Sequence, residues 1–237
     1  MITYDELILE LQAGASAALM MRHAERPHID REDPTFGESL SLTAEGEELA
    51  RELGKKFQAF AEETEFHSSP MNRTRTTARR FAEGMGVDEP DIAEWDELGN
   101  GSFYFTDQLA IFEAFKGRDI YPMMEDYLHG KPLAGMGDIK AASNRLEKWI
   151  NEHHNKRFSL FVTHDLYTAA FLTARNAAEF TASRWIGFLD SAAIIKYPNG
   201  SRRYEYVVYG CRLFKLDGDR PHGTRVFQGF PRCQPPE

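Results

Sequence analysis

The chain has 237 residues, a hydrophobic content of 42% and a formal net charge of -9 at pH 7. This length suits one large α/β domain, and no apolar run approaches the ~20 residues that a membrane-spanning helix needs. The acidic balance opposes non-specific attraction to nucleic acid and to anionic membranes. We therefore expect a soluble protein with neither kind of partner, whose anion-binding basic residues are clustered.

The N-terminal stretch MITYDELILELQ has acids inside its apolar run and lacks the basic start of a secretory signal, so we expect a cytoplasmic protein. The two cysteines, Cys211 and Cys233, come late in the chain and have no second pair beside them. Neither a disulfide framework nor a zinc site is expected from this pattern. We expect no metal and no other cofactor.

The first third of the chain predicts helices and strands in alternation. Residues 4–12 have apolar positions at helical spacing, and the following apolar run ASAALMM has the length of a strand that ends at Arg22-His23. Thr43 is expected to cap a long helix through residue 63. The segment EFHSSP predicts a short strand closed by Pro70, and NRTRTTARRFAEGMG predicts a helix that ends at Gly84 or Gly86.

The remaining two thirds begin with a predicted strand, DIAEW, and an insert. Residues 98–137 are rich in Phe, Tyr, Met, Gly and Pro, and we interpret them as an irregular cap over a site. Residues 138–154 predict a helix, FSLFVTHD a strongly apolar strand, and a further helix starts at its end. The last segment predicts two strands joined at Asn199-Gly200.

This alternation predicts a single α/β domain over residues 1–237, with the insert at about 98–137. Helices that alternate with strands favour a mostly parallel sheet covered on both faces, and the final hairpin adds an antiparallel edge. Ligands of such sheets collect beyond the carboxyl ends of the strands.

Three predicted strands end in unusual polar groups, which we expect to meet at one edge of the sheet. Arg22-His23 follow the first, Ser68-Ser69-Pro70 with Arg73 follow the second, and His164-Asp165 follow the third. Guanidinium groups match phosphate oxygens in bidentate fashion and stabilise charge on a transferring phosphoryl group. The sequence therefore predicts a site for a phosphoryl group.

Histidine is a suitable nucleophile for such a group, because a phosphohistidine divides one difficult displacement into two easier ones. His23 is the candidate nucleophile, and His164 is expected to hydrogen-bond the phosphoryl oxygens. Asp165 is placed to protonate the leaving alkoxide if its pKa is raised. This mechanism needs no metal.

The motifs RHAERP, LTAEG, SSPMNRTRTTA and THD, in this order, resemble those of the histidine phosphatase superfamily, which has the phosphoglycerate mutase-like fold. The resemblance implies a three-layer α/β/α sandwich and a phosphoryl-accepting histidine at His23. It also implies phosphate-pocket positions at Arg22, Arg73 and His164. The first motif departs from the usual Arg-His-Gly, because Ala24 stands in place of the glycine.

The resemblance leaves two candidate proton donors. In the acid phosphatase and phytase-like branch the His-Asp pair supplies the donor and a second arginine follows the nucleophile, a pattern that Asp165 and Arg26 fit. In the mutase-like branch a glutamate in the middle of the chain is used, and Glu97 is the rival. We favour Asp165, although the short chain is more similar to the mutase-like branch. Arg26 either binds substrate or forms a surface ion pair with Glu25 or a nearby acid.

The leading hypothesis is a metal-independent phosphomonoester hydrolase that forms a phosphohistidine at His23, acts on a phosphorylated small molecule and releases phosphate ion. A phosphoglycerate mutase-type phosphotransferase and a non-catalytic phosphate-binding module are the alternatives. Phe103, Tyr104 and Phe105 either line a lid that selects the leaving group or pack a small core. The C-terminal tail, with Arg220, Arg225 and Arg232, either folds over the sheet edge or hangs free.

Overall fold

A computed structural model describes residues 1–29, 37, 39–99 and 103–210 of the chain. Cys211, Cys233 and the arginines of the C-terminal tail lie outside these residues. None of the helices within the described ranges is long and apolar enough to cross a membrane. The strands and α-helices are β1 (Ile2–Thr3), α1 (Tyr4–Gln12), β2 (Ser16–Arg22), α2 (Ala44–Lys55), β3 (Thr64–Ser68), α3 (Asn72–Gly84), β4 (Ile92–Glu94), α4 (Gln108–Phe115), α5 (Ile120–Leu128), α6 (Ile139–Glu152), β5 (Phe158–Thr163), α7 (Asp165–Ala174), β6 (Ser191–Lys196) and β7 (Arg202–Val208).

The seven strands form one sheet in the order β1-β7-β6-β2-β5-β3-β4. Every neighbouring pair is parallel except those of β6, which runs antiparallel to both β2 and β7. The prediction of a mostly parallel sheet is confirmed, and so is the hairpin between β6 and β7. The antiparallel strand β6 lies between β2 and β7, and the two-residue strand β1 pairs with β7 at the edge of the sheet.

Helices cover both faces of the sheet, which makes the three-layer α/β/α sandwich that the motifs imply. Along β2 the side chains alternate between two cores: Leu19 and Met21 face one, and Ala18 and Met20 face the other. Helices α1, α2 and α3 pack in the first core, and α4 to α7 pack in the second. The central strands β2 and β5 are therefore buried on both faces, as their continuous apolar sequences predict.

The helix that Thr43 caps is shorter than predicted. The Thr43 hydroxyl accepts the Gly46 N–H at 2.9 Å, as expected of an N-cap, but α2 ends at Lys55. Lys56 and Phe57 then donate to carbonyls only three residues back, and a 3₁₀ helix follows over Gln58–Glu63. The tighter turn carries the Phe57 ring into the first core, so burial of an aromatic side chain ends the α-helix here.

The insert is not irregular, since it contains helices α4 and α5. Asp107 and Asp119 accept backbone N–H groups of the first turns and cap these two helices. Phe103 and Tyr104 are buried in the second core, and the Tyr104 hydroxyl lies 3.0 Å from Ser143 Oγ. These two aromatics therefore pack a core and do not line a lid.

Candidate active site

The three polar strand ends meet at one edge of the sheet. β5 lies between β2 and β3, and Arg22 is in register with Thr163 while Ser68 is in register with Val162. The rings of the residues that follow, His23 and His164, have centroids 5.6 Å apart. Parallel neighbouring strands thus bring the candidate residues of three separate motifs into one site.

His23 has the protonation state that a nucleophile needs. Its Nδ1 lies 2.8 Å from the Ala24 carbonyl oxygen, which can only accept, so Nδ1 carries the proton and Nε2 keeps a lone pair. Burial and the nearby His164, Arg22 and Arg73 hold the pKa of His23 well below the usual 6.5. The imidazole is therefore neutral near pH 7, with an unprotonated Nε2.

Ala24 fits the turn after the nucleophile without the conformational freedom of glycine. Its φ is not positive, and its side chain is fully buried. Its N–H donates to Thr77 Oγ1 at 2.9 Å, which ties the turn to helix α3. The departure from Arg-His-Gly therefore leaves the backbone in a conformation that alanine adopts without strain.

Arg22 is buried at the site, and one of its N–H donors has no partner among the described residues. Nη1 donates to the Ile186 carbonyl, Nη2 lies 3.3 Å from Asp165 Oδ2, and Cζ lies 4.2 Å from the centre of the Phe188 ring. The side chain is only 6% exposed. Its buried Nε has no hydrogen-bond partner among the described residues, which leaves a donor for an anion.

Two further guanidinium groups belong to the same site. Arg73 is buried, and its Nη1 donates to the Gly37 carbonyl at 2.7 Å. Arg26 donates to the Pro27 carbonyl at 2.8 Å, and its buried Nε has no hydrogen-bond partner in the part of the chain that the structure describes. Burial and repulsion from Arg22 lower the pKa of Arg26 to about 10. This repulsion would be relieved by a bound anion.

His164 lies at the same edge of the sheet, directly after β5. It precedes helix α7, and its Nε2 lies 3.2 Å from Ser69 Oγ. Burial and the charge of Arg73 lower the pKa of His164 to about 3. The ring is therefore neutral near pH 7, and its one N–H can donate to a phosphoryl oxygen.

Asp165 is held in an ion pair rather than poised as an acid. Its Oδ2 accepts from Trp185 Nε1 at 3.2 Å and faces Arg22, while Oδ1 accepts the Leu166 N–H at 2.9 Å. Burial raises the pKa of Asp165, but the charges of Arg22 and Arg26 outweigh it and leave the pKa below its usual value. The carboxylate is ionised at neutral pH and fixes the orientation of Arg22.

Glu97 lies on a segment that borders the site. It belongs to a 3₁₀ helix over Asp96–Leu98, directly after β4, and its side chain is half-buried. A Cβ added at Gly99 would lie 2.8 Å from Ser69 Cβ and 3.6 Å from His164 Nε2. This close approach requires glycine, so the chain passes the His164 ring at Gly99, two residues after Glu97 in the sequence.

Residues 185–190, between α7 and β6, are the part of the site that the sequence did not reveal. Trp185 donates to Asp165, the Ile186 carbonyl accepts from Arg22, and Phe188 lies against both Arg22 and His23. No motif or periodicity marks this stretch. Its role depends on contacts with residues far away in the chain, which spacing along the sequence does not encode.

The assembled side chains suit a tetrahedral dianion. Three guanidinium groups supply positive charge, and two neutral imidazoles stand beside them, one with a free Nε2. Among the described residues, no group of three or more histidine, cysteine and acidic side chains is arranged to hold a metal ion. The arrangement can bind a phosphoryl group and present a nucleophile to it.

Comparisons with known proteins show the family and the fold. The sequence model of the histidine phosphatase superfamily (branch 1) matches residues 18–211. No curated protein matches the chain. Three similar solved structures are too distant in sequence to show more than the fold. Phosphoglycerate mutase from Bacillus anthracis str. Sterne has 15% identity and a TM-score of 0.51, over 81% of this chain and 92% of that one. Mycobacterial glucosyl-3-phosphoglycerate phosphatase has 14% identity and a TM-score of 0.50 (81% of this chain, 97% of that one), and a phosphoserine phosphatase mutant from Entamoeba histolytica in complex with phosphoserine has 15% identity and a TM-score of 0.50 (80% and 95%).

Proposed function

The chain belongs to the histidine phosphatase superfamily, and from the geometry of its site we propose that it is a metal-independent phosphomonoester hydrolase. The substrate is a phosphorylated small molecule, and the reaction passes through a phosphohistidine at His23. One observation carries the proposal: a neutral His23, with its proton fixed on Nδ1, stands beside His164 among buried guanidinium groups. These groups supply both the nucleophile and the charge that phosphoryl transfer needs.

In the first step the substrate phosphate is bound by Arg22, Arg26, Arg73 and His164. Nε2 of His23 then attacks phosphorus while the bond from phosphorus to the ester oxygen breaks. The positive charge that forms on the imidazole is stabilised by the Nδ1–H bond to the Ala24 carbonyl. A carboxylic acid gives its proton to the leaving oxygen, so that an alcohol departs.

In the second step water attacks the phosphorus of the phosphohistidine, and the bond to Nε2 breaks. The same carboxylate takes the proton from the attacking water, which restores the acid for the next turnover. Inorganic phosphate leaves, and His23 returns to its neutral form with the proton on Nδ1.

We assign the proton donor to Glu97 in preference to Asp165, which the sequence had favoured. The ion pair with Arg22 favours the ionised form of Asp165 and lowers its pKa, which opposes a role as proton donor. The match to branch 1 supports the same choice, because a mid-chain glutamate is the donor that the resemblance implies for mutase-like members. Asp165 instead holds Arg22 against the phosphate.

The test is phosphate release, with EDTA present, from a panel of phosphomonoesters. Wild type is compared with His23→Ala, Glu97→Gln and Asp165→Asn, and Glu94→Gln serves as a control because Glu94 is exposed. We expect wild type to be active and His23→Ala to show only the background rate. Loss of activity on adding EDTA, or full activity of His23→Ala, contradicts the proposal.

The donor is identified by the leaving group. 4-Nitrophenolate departs without a proton, whereas an alkoxide needs one, so loss of the donor slows alkyl esters by about 10²–10⁴-fold and 4-nitrophenyl phosphate much less. We expect this split for Glu97→Gln, and a similar loss on both ester types for Asp165→Asn. The opposite result assigns the donor to Asp165. Transfer to a sugar acid identifies a mutase, and binding without turnover identifies a phosphate-binding module.

A further inference from the structure

Two half-buried aromatic side chains, Trp185 and Tyr121, lie at the rim of the phosphate site. The indole of Trp185 is held by its Nε1–H bond to Asp165 Oδ2, at 3.2 Å. The Tyr121 ring, from the first turn of α5, meets the indole edge-to-face with centroids 5.6 Å apart. Phe180, which is buried, meets the indole edge-to-face from another direction at 6.2 Å. The orientation of the indole is therefore fixed from three directions.

The indole is coupled to one of the arginines that are proposed to bind phosphate. The Asp165 oxygen that accepts from Trp185 also faces Arg22 Nη2, so the indole and this guanidinium share one carboxylate oxygen. Tyr121 joins this arrangement through its contact with the indole. The aromatic pair is therefore linked to Arg22 through a single residue, Asp165.

The pair is more exposed than the first two aromatics of the insert. Phe103 and Tyr104 are buried in the second core, whereas Tyr121 and Trp185 are only half-buried. The ring contacts of Trp185 within the described residues are edge-to-face, and none is stacked. Because the indole is only half-buried and is already oriented, a ring carried by a ligand can pack against it at little cost in side-chain entropy.

We propose that Trp185 and Tyr121 form a leaving-group subsite and that the substrate is a phosphomonoester whose leaving group carries an aromatic ring. This inference rests on the proposed function and adds the substrate class to it. The arginines recognise the phosphate, which every phosphomonoester shares. Selectivity among esters then comes from the ring contacts, with α5 of the insert supplying one of them.

The test uses phosphonates, which cannot be hydrolysed, so that the reactivity of the leaving group has no influence. Isothermal titration calorimetry measures the Kd of benzylphosphonate, ethylphosphonate and inorganic phosphate for the full chain. We expect benzylphosphonate to bind about tenfold more tightly than ethylphosphonate, because a ring pair adds to the free energy of area burial. Equal affinities for the two phosphonates overturn the inference.

Variants of Trp185 separate stacking from the hydrogen bond to Asp165. Trp185→Ala is expected to lose the preference for benzylphosphonate over ethylphosphonate, and its Kd for inorganic phosphate is measured beside it to report folding and any displacement of Asp165. Trp185→Phe keeps a ring without the N–H and is expected to keep the preference. The matched control is Trp149→Phe, because Trp149 packs on Phe161 away from the site. A preference that survives in both Trp185→Ala and Tyr121→Ala overturns the inference.

Failure of the inference and failure of the proposed function are distinguishable. A benzylphosphonate preference that depends on Trp185, in a protein that hydrolyses no ester, supports the subsite and contradicts the hydrolase. Hydrolysis that depends on His23, without any preference for aromatic phosphonates, supports the hydrolase and contradicts the subsite.

Discussion

The Gly46→Ala variant tests whether helix α2 positions the catalytic loop. A Cβ at this position would lie 2.4 Å from the Glu25 carbonyl oxygen and 2.9 Å from the Glu25 nitrogen. Ordinary contacts begin at 3.4 Å, so Glu25 has to retreat by about 1 Å. Glu25 lies two residues after His23 and directly before Arg26, so this displacement should move the proposed nucleophile and one proposed phosphate ligand.

The magnitudes expected for stability and for activity are different. Overpacking costs roughly 1–3 kcal/mol, and replacement of a helical glycine by alanine returns up to about 1 kcal/mol. The free energy of unfolding should therefore fall by only about 0–3 kcal/mol. A misplacement of about 1 Å in a catalytic site lowers activity by about 10²-fold, so kcat/KM should fall far more than stability.

The assay measures kcat/KM for 4-nitrophenyl phosphate together with the thermal midpoint of unfolding. Gly84→Ala is the matched control, because its Cβ would lie 2.0 Å from the Arg51 carbonyl, at the far end of α3 from Arg73. We expect Gly84→Ala to lose stability and to keep its kcat/KM. The reasoning is wrong if a folded Gly46→Ala protein retains wild-type activity, or if both variants lose activity equally.

Two further predictions concern stability. Thr77→Val leaves the buried Ala24 N–H without its 2.9 Å acceptor and should lower the free energy of unfolding in urea by about 1–3 kcal/mol, whereas Thr76→Val should change it little. Burial lowers the pKa of His154 from 6.5 to about 4, so the unfolded chain takes up a proton before the folded one does. The free energy of unfolding should then fall as the pH drops from about 6.5 to about 4. His154→Gln should make this fall shallower. If the dependence of the free energy of unfolding on pH is unchanged in the variant, His154 is not its cause.

Most of the fold was predictable from local pattern. Apolar periodicity located the central strands and most helices, and Thr43 marked the start of α2, because these features depend on neighbouring residues. The helices of the insert were missed, although Asp107 and Asp119 cap them. Strand β1 was also missed, since two residues are too few to show a period.

The sequence also predicted which polar side chains meet at one edge of the sheet. Arg22, His23, Arg73 and His164 stand directly after predicted strands or at the start of a helix, and parallel strands bring such positions to one edge. That these side chains meet could be predicted from the order of parallel strands alone, without any interatomic distance. The roles of these side chains in catalysis stay predictions until the variants above are measured.

The tertiary structure was needed wherever a role depends on partners that are distant in the chain. Asp165 looks like a proton donor beside His164 in the sequence, but its ion pair with Arg22 lowers its pKa. Trp185 has no motif, and it matters because it donates to Asp165 and meets Tyr121. The protonation state of Asp165 depends on burial and on charges a few ångströms away, and the proposed selectivity depends on contacts between distant residues. None of these is a property of local sequence.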